Sequence, residues 1–572
     1  MKLPMIENIK DLVSQAVMYV CTRPFREMRV TQKPVDSQLW TVERPQKSEH
    51  GDFSTNAAMV LAKTLKRKPR ELASQIIKAV HDPDSIIDKM DIAGPGFINF
   101  KIKNEAWQKT LTLLMPLEDI IPNIGQGRKV LVELVSANPT GPLHIGNARG
   151  GPLGDAIAAL LQKTGHKVVK TFYSNDIGGQ VDRLGTSLLH WVKTIKKMET
   201  QLPHEGYFGE YVQELACEAI RDLKISATLG DETLLAQKLS HYGVKKLNEE
   251  IRSDCEAMGI SFDEWVYESD IRKNKGLENI IDCLRKNHVT REAEGALWFA
   301  PQDDFMQDRE SVLIRSSGEP TYFADDIVCH DDRYKSGYET IIDVWGSNHH
   351  GHVPKIKAAL KVLGHNPDKL EAILYQYVRV VRGQEIVKMS KRAGNFVIAR
   401  EVLDEVGRDA FRFFLLMRAA SAHLDFDIAL ARQQSQENPV YYVQYAHARI
   451  CSILSKAPHQ PPCAPDCSLL DLEEEINLIK ILNDYPTTLY EATLQREPHR
   501  LVFYLLDLAR HFQSYYSRAK KDGRFKVLSE DVDRTHAKLY LVKIIKEVLS
   551  DALNLLGVSA PHEMRLDDKG ED

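Results

Sequence analysis

Apolar residues recur at three- and four-residue spacing over Met1–Cys21, Ser54–Thr64 and Glu71–His81, which predicts helices there. Gln38–Val42 has strand character, and Ile92–Ile102 (IAGPGFINFKI) predicts a Gly/Pro turn entering an alternating strand. Pro116–Arg128 is a loop, and beyond it the pattern changes. Lys129–Val135 (KVLVELV) is apolar apart from one glutamate, as in a parallel strand buried on both faces. SANPTGPLHIGN follows, rich in turn formers; Ala148–Gly165 then has the pattern of a helix closed by glycine, and Val168–Tyr173 that of the next strand. Strand, glycine-containing turn, helix and strand open a doubly wound sheet.

From about residue 188 to 310 helical patterns such as Tyr211–Lys224 and Glu232–Met258 replace the strands. Ser311–Arg315, Thr340–Val344 and Gln376–Val381 resume strand character, and from Asp409 the chain is almost wholly helical, broken at Ala457–Ser468. The expected class is α/β multidomain. A small N-terminal α+β domain occupies 1–115, and a Rossmann-like parallel-sheet domain is split into 116–187 and 311–408. A helical insertion fills 188–310, and an α-helical bundle fills 409–572.

Composition narrows the class. A chain of 572 residues exceeds what one core supports. The formal charge of −5 argues against coating nucleic acid through an overall field, but leaves room for local basic patches. Eight scattered cysteines without paired CxxC motifs suit a reducing cytoplasm. Cys463 and Cys467 lie in a proline-rich loop and are not expected to hold a metal. No apolar run reaches membrane-spanning length, so no membrane partner is expected.

The chemistry starts at PLHIGN, where the first strand ends and the first helix opens. Such a helix start offers backbone N–H groups and its positive end to a phosphate. Gly146 permits close approach, and His144 can donate to a phosphate oxygen. Alone, this could be an ordinary βα turn. VKMSKRAGN (Val387–Asn395) lies far downstream, after another strand, with Lys388 and Lys391 placed to reach one polyphosphate. A lone KxxK would be a solvated basic loop; HIGN at one strand end and KMSK at a later one together point to a shared nucleotide. His349, His350 and His352 cluster without an evident acidic or cysteine partner, so no metal site is predicted.

The two signatures resemble the HIGH and KMSK motifs of class I aminoacyl-tRNA synthetases. With YFADDIVCH (322–330), VWGSNHHGHVPK, NPVYYVQYAHARI and GVSAPHEM, the chain is similar to bacterial arginyl-tRNA synthetases along nearly its whole length. The resemblance implies ATP binding by Pro142, His144, Gly146, Asn147, Lys388, Met389, Ser390 and Lys391. His144, Asn147, Lys388 and Lys391 would be catalytic, with Mg²⁺ carried on the ATP phosphates and no dedicated protein metal site. Asn147 stands where the family motif more often has histidine; it can still donate a hydrogen bond.

For arginine, the implied set is Glu133, Ser136, Asn138, Tyr322, Asp326 and Asn348. Glu133 draws independent notice, because a lone charge in a buried strand is costly unless paired. The bland alternative is an edge-strand glutamate facing water. Tyr322 and Asp326, four apart, share a face if helical, and Asp325 is the adjacent alternative ligand.

For tRNA(Arg), the resemblance implies anticodon contacts from Tyr445, Tyr516 and Met564, and a tRNA-elbow contact from the N-terminal domain. There, GDFSTN would read bases through Phe53 and Asn56, and the run Lys66, Arg67, Lys68 and Arg70 would face phosphate. A sub-motif the family often writes with arginine stands here as DALN, Asp551–Asn554. The expected partners are tRNA(Arg), L-arginine and ATP, acting on a cytoplasmic monomer. The rival readings are a class I lysyl-tRNA synthetase and a catalytically inactive, synthetase-like RNA-binding protein.

Overall fold

The computed structural model describes residues 5–28, 39–45, 47–226, 229–273, 276–301, 305–306, 309–383, 385–386, 397–458, 462 and 464–564. Its centre is a five-stranded parallel sheet: β1 (Lys129–Glu133), β2 (Lys167–Ser174), β3 (Glu264–Tyr267), β4 (Thr340–Gly346) and β5 (Leu370–Tyr375). The strands lie in the order β3-β2-β1-β4-β5. The chain therefore winds outward one way from β1 and then the other way from β4, and the crevice between them at their C-terminal ends is where such sheets bind ligands. Both faces are covered. Val130 and Val132 point into one core with helix α1 (Gly150–Lys163), while Leu131 points into another with helix α2 (Tyr322–Lys335). That two-sided burial explains the nearly continuous apolar run of β1.

Several expectations shift. Residues 188–310 are not helical throughout. Glu264–Tyr267 is the edge of the parallel sheet, and Thr290–Ala293 with Ala296–Phe299 begins a separate antiparallel sheet. Ser311–Ile314 completes that antiparallel sheet and does not join the parallel one. Val378–Arg382 likewise pairs outside it, with Glu385–Ile386 and Leu424–Asp427, while the parallel sheet takes the unforeseen strand Leu370–Tyr375. Four-residue strands carry too few alternations to register as a period, and LEAILY is equally compatible with a helical turn.

At the N-terminus, helices Met5–Met28, Ala57–Leu65 and Pro69–Ala79 pack with a four-stranded antiparallel sheet. The expected helix at Ser54 starts only at Ala57, because Phe53–Thr55 pairs with Phe97–Ile102. Of Gln38–Val42, only Val42 is in a strand, Val42–Glu43; Gln38 lies outside the described residues.

Buried polar ties hold the units together. Arg412, fully buried, donates to Asp155 Oδ2 at 2.7 Å and to the Met258 and Leu556 carbonyls at 3.0 and 2.8 Å. Asp551, the first residue of DALN, accepts from Lys163 on α1 at 2.6 Å and from the Tyr485 hydroxyl at 2.5 Å. Asn554 is exposed. Arg44 and Asp52 of the N-terminal unit pair with Asp484 and Lys480 of the C-terminal bundle, each at 2.6 Å.

Candidate active site

The chain leaves β1 through two left-handed residues, Val135 (φ 69°) and Ser136 (φ 39°). A β-branched residue at positive φ is strained, and such strain clusters at functional turns. The Ser136 hydroxyl accepts the Tyr173 N–H at 3.1 Å, tying this turn to the end of β2. Asn138 then joins an amide chain, accepting from Asn175 and donating to Gln180, each at 3.0 Å.

The next turn carries Pro142, which is buried, and then the HIGN residues. His144 caps the short helix Ile145–Ala148, its Nδ1 accepting the Asn147 N–H at 3.2 Å. That bond places the ring proton of the neutral imidazole on Nε2, the orientation of a donor. Gly146 runs beneath the ring: a Cβ there would stand 3.0 Å from His144 Nδ1, so a side chain would push the imidazole aside. Asn147 is half-buried, and its carbonyl accepts from the Tyr375 hydroxyl at 3.3 Å. Lys388, Met389, Ser390 and Lys391 lie outside the described residues. The adjoining segment does meet HIGN: the Ile145 N–H donates to the Val397 carbonyl at 3.0 Å, and the Ala399 N–H to the Leu143 carbonyl at 2.8 Å.

Across the crevice, Glu133 of β1 and Asp343 of β4 are register partners. Glu133 is 5% exposed and Asp343 fully buried, so the bland reading of Glu133 as a water-facing edge residue fails. Both carboxylates have partners within the chain. Arg333, from α2, donates to Glu133 Oε2 and to Asp343 Oδ1, the latter at 3.3 Å. Trp345 Nε1 donates to Glu133 Oε1 at 3.1 Å, and His330 Nε2 meets Asp343 Oδ2 at 2.8 Å. Burial by itself would raise the Glu133 pKa, but the Arg333 guanidinium overrules it and holds the group below the ordinary range. Glu133 is thus paired, as a buried charge must be, but with a resident guanidinium. Each of its oxygens accepts one bond from within the chain, and a carboxylate has lone pairs for more.

Tyr322 and Asp326 lie on α2 one turn apart, as expected. The Tyr322 hydroxyl faces Gly178, 3.8 Å from where a Cβ would stand there. Asp326 is a quarter exposed, and its Oδ2 accepts from His352 Nε2 at 2.6 Å. The alternative, Asp325, is withdrawn: it is 1% exposed and held by Arg272, whose Nε and Nη2 reach it at 3.2 and 2.7 Å. The same guanidinium holds Glu268 at 2.7 Å. Burial and the adjacent Asp325 carboxylate push Glu268 well up, toward the neutral acid. Tyr173 Oη is buried without a hydrogen-bond partner among the described residues, close enough to Asp326 to feel its charge. Asn348 is exposed on the 3₁₀ turn Ser347–His349 that follows β4. Sequence reasoning missed Tyr173, Gln180, Arg333 and the contact of His352. Nothing local marks them, because each acquires its meaning from a partner distant in sequence.

A second cleft, about 940 Å³, lies in the C-terminal bundle and brings together Tyr445, Tyr516 and Met564. Arg449 is sandwiched there, 4.4 Å from the Tyr445 ring centroid and 4.8 Å from that of Tyr516. The neighbouring Tyr441, Phe512 and Tyr515 are buried core. In the N-terminal unit, Phe53 must be corrected. It is 1% exposed, 5.9 Å from the Trp107 ring with the Arg44 guanidinium over its face, so no base can stack on it. Asn56 is half-buried and spends its side-chain oxygen on the Thr41 N–H at 2.9 Å. The basic run remains at the surface at Lys66, Lys68 and Arg70, with Arg67 half-buried.

Three family models tile the chain: the arginyl tRNA synthetase N terminal domain over 7–102, the tRNA synthetases class I (R) catalytic domain over 112–415, and the DALR anticodon binding domain over 443–564. The chain is 44% identical over 531 residues to the arginine–tRNA ligase of Syntrophotalea carbinolica, covering 91% of this chain and 94% of that one. It is 38% identical over 569 residues to that of Desulforamulus reducens, covering 98% and 100%. The Thermus thermophilus arginyl-tRNA synthetase superposes with a TM-score of 0.73 at 25% identity, over 98% of this chain and 100% of that one. A class I nucleotide-binding sheet, the HIGN turn at its first strand and the match along all three units together place this chain in the arginyl-tRNA synthetase family.

Proposed function

We propose that the chain activates L-arginine with ATP and transfers it to the 2′-hydroxyl of the terminal adenosine of tRNA(Arg). The observation that carries this reading is Asp326: of Glu133, Asp325 and Asp326 at the switch point, it alone is held, among the described residues, by an imidazole and not by a guanidinium. A cationic side chain entering the crevice finds its counter-charge there. Tyr322 and Tyr173 flank that position, and Ser136, Asn138 and Asn348 stand at the strand ends, where the substrate's amino and carboxylate groups would lie.

The arginine carboxylate attacks the α-phosphate of ATP in line, releasing pyrophosphate and leaving arginyl-adenylate; the tRNA hydroxyl then displaces AMP. Such chemistry needs positioning and charge neutralisation and no covalent enzyme intermediate. His144 and Asn147 donate to phosphate at the helix start beside Pro142 and Gly146, and Lys388 and Lys391, with Met389 and Ser390, supply the second half of the nucleotide site. The described HIGN residues contribute donors and no carboxylate, which suits Mg²⁺ arriving on the triphosphate. The enzyme works as a cytoplasmic monomer.

Pyrophosphate exchange tests the reading. Labelled ATP should form with arginine and tRNA(Arg), and little with lysine or without tRNA. Exchange supported by lysine would establish the rival synthetase; no exchange with either amino acid would leave an RNA-binding protein. In the second cleft, Tyr516→Ala should weaken tRNA(Arg) binding by about 1–3 kcal/mol, the contribution of one stacked base. That is roughly 5- to 150-fold in Kd, measurable by filter binding. Unchanged affinity would return Tyr516 to a purely structural role.

A further inference from the structure

Three acidic side chains converge near the switch point, and their partners differ in kind. Glu133 is neutralised by Arg333 and Asp325 by Arg272, both through guanidinium groups that remain charged at any working pH. Asp326 is held by His352, through Nε2 to Oδ2 at 2.6 Å. A carboxylate is acceptor-only, so the imidazole must donate the proton of this bond. When His352 is neutral, the bond orients Asp326 and leaves its negative charge uncompensated. When His352 is protonated, the pair is neutral within the protein.

We propose that His352 is a positioning residue for arginine, holding the Asp326 carboxylate while neutral and competing with the substrate guanidinium when protonated. The proposal rests on the reading that this crevice takes arginine. The geometry makes the two cations alternatives. His352 enters from the segment after β4 and is fixed between the rings of Phe323 and Trp345, at 5.9 and 5.8 Å. Its imidazole therefore cannot easily swing away from Asp326, and a proton on it stays beside the carboxylate. The titratable groups facing this pair are His349 on the same segment, Glu133 on β1, Tyr173 on β2, Cys329 and His330 one turn along α2, and Asp325 and Glu268 behind Asp326. Glu133 and Asp325 are already matched by resident arginines. Desolvation lowers the His349 pKa while Asp326 and Glu133 oppose the shift, and the side chain is exposed.

The test is the pH dependence of the arginine KM in aminoacylation, with ATP and tRNA(Arg) saturating, for wild type, His352→Gln and His352→Leu. Because proton and arginine exclude one another, the wild-type KM should rise on acidification, approaching about tenfold per pH unit once the imidazole is mostly protonated. Turnover at saturating arginine should not follow it. His352→Gln keeps a donor to Asp326 but cannot titrate, so its KM should stay near the alkaline wild-type value across the range. His352→Leu has no donor, and its KM should be raised at every pH without the acid-dependent rise. The KM for ATP, measured in parallel, should respond to pH alike in all three. An identical acid-dependent rise in arginine KM in wild type and His352→Gln would overturn the proposal alone. Absence of arginine-dependent activity in wild type at every pH would overturn the functional reading and this proposal with it.

Discussion

Asp326→Asn is expected to raise the arginine KM by roughly 30- to several-thousand-fold, the equivalent of about 2–5 kcal/mol for one member of a desolvated charge pair. The reason lies in charge allocation. The substitution keeps the size of the side chain and a hydrogen-bonding oxygen toward His352, but removes the negative charge that no guanidinium among the described residues claims. The neighbouring change, Asp325→Asn, should behave differently, since Asp325 serves Arg272 and is closed to the crevice. It should lower stability and leave the arginine KM comparatively undisturbed. Exchange assays over an arginine titration, run on both variants, separate the roles. An unchanged KM in Asp326→Asn, or a larger KM effect in Asp325→Asn, would show that the wrong carboxylate has been assigned.

Arg333→Ala should be the most destabilising single change in the catalytic unit. It would leave Glu133 and Asp343 side by side on adjacent strands, both buried, with no guanidinium between them. Removing one partner of a buried ion pair costs about 3–5 kcal/mol, a large share of the roughly 5–15 kcal/mol that holds a typical domain folded. The sign with pH is opposite to that of the wild type. In the wild type, the Glu133 pKa is depressed by Arg333, so its stabilisation is present above the unfolded value and is lost as pH falls through the folded one. Without Arg333, burial raises the carboxyl pKa instead, so the penalty is greatest at neutral pH and shrinks as the acids take up protons. Thermal unfolding of both proteins at several pH values should therefore show a gap that narrows on acidification. A constant gap would mean that lost packing of the long arginine side chain, and not unpaired charge, dominates. Glu133→Gln, which leaves Arg333 with Asp343, should cost less.

Local periodicity and motif spacing foretell much of this molecule. The long helices, β1 and β2, and the turn between them follow from apolar periods and from glycine and proline placement, because those signals are properties of a short segment. Short strands escape, since Glu264–Tyr267 and Ala296–Phe299 acquire their identity from neighbours. GDFSTN shows the converse error. Its polar letters suggest an exposed reading loop, but Phe53–Thr55 pairs with Phe97–Ile102 and turns Phe53 onto Trp107.

The same division runs through the site. The order of residues alone establishes that the HIGN and KMSK signatures share one chain, that Glu133 is a charge needing a partner, and that Tyr322 and Asp326 occupy one face if helical. It does not say which cation meets which carboxylate. Arg333 is 200 residues from Glu133, Arg272 is 53 from Asp325 and His352 is 26 from Asp326. Those pairings belong to the folded chain, because in a crevice of limited dielectric each buried charge is settled by the groups packed against it. That settlement puts Asp326 under His352, the pairing on which the proposed arginine site rests.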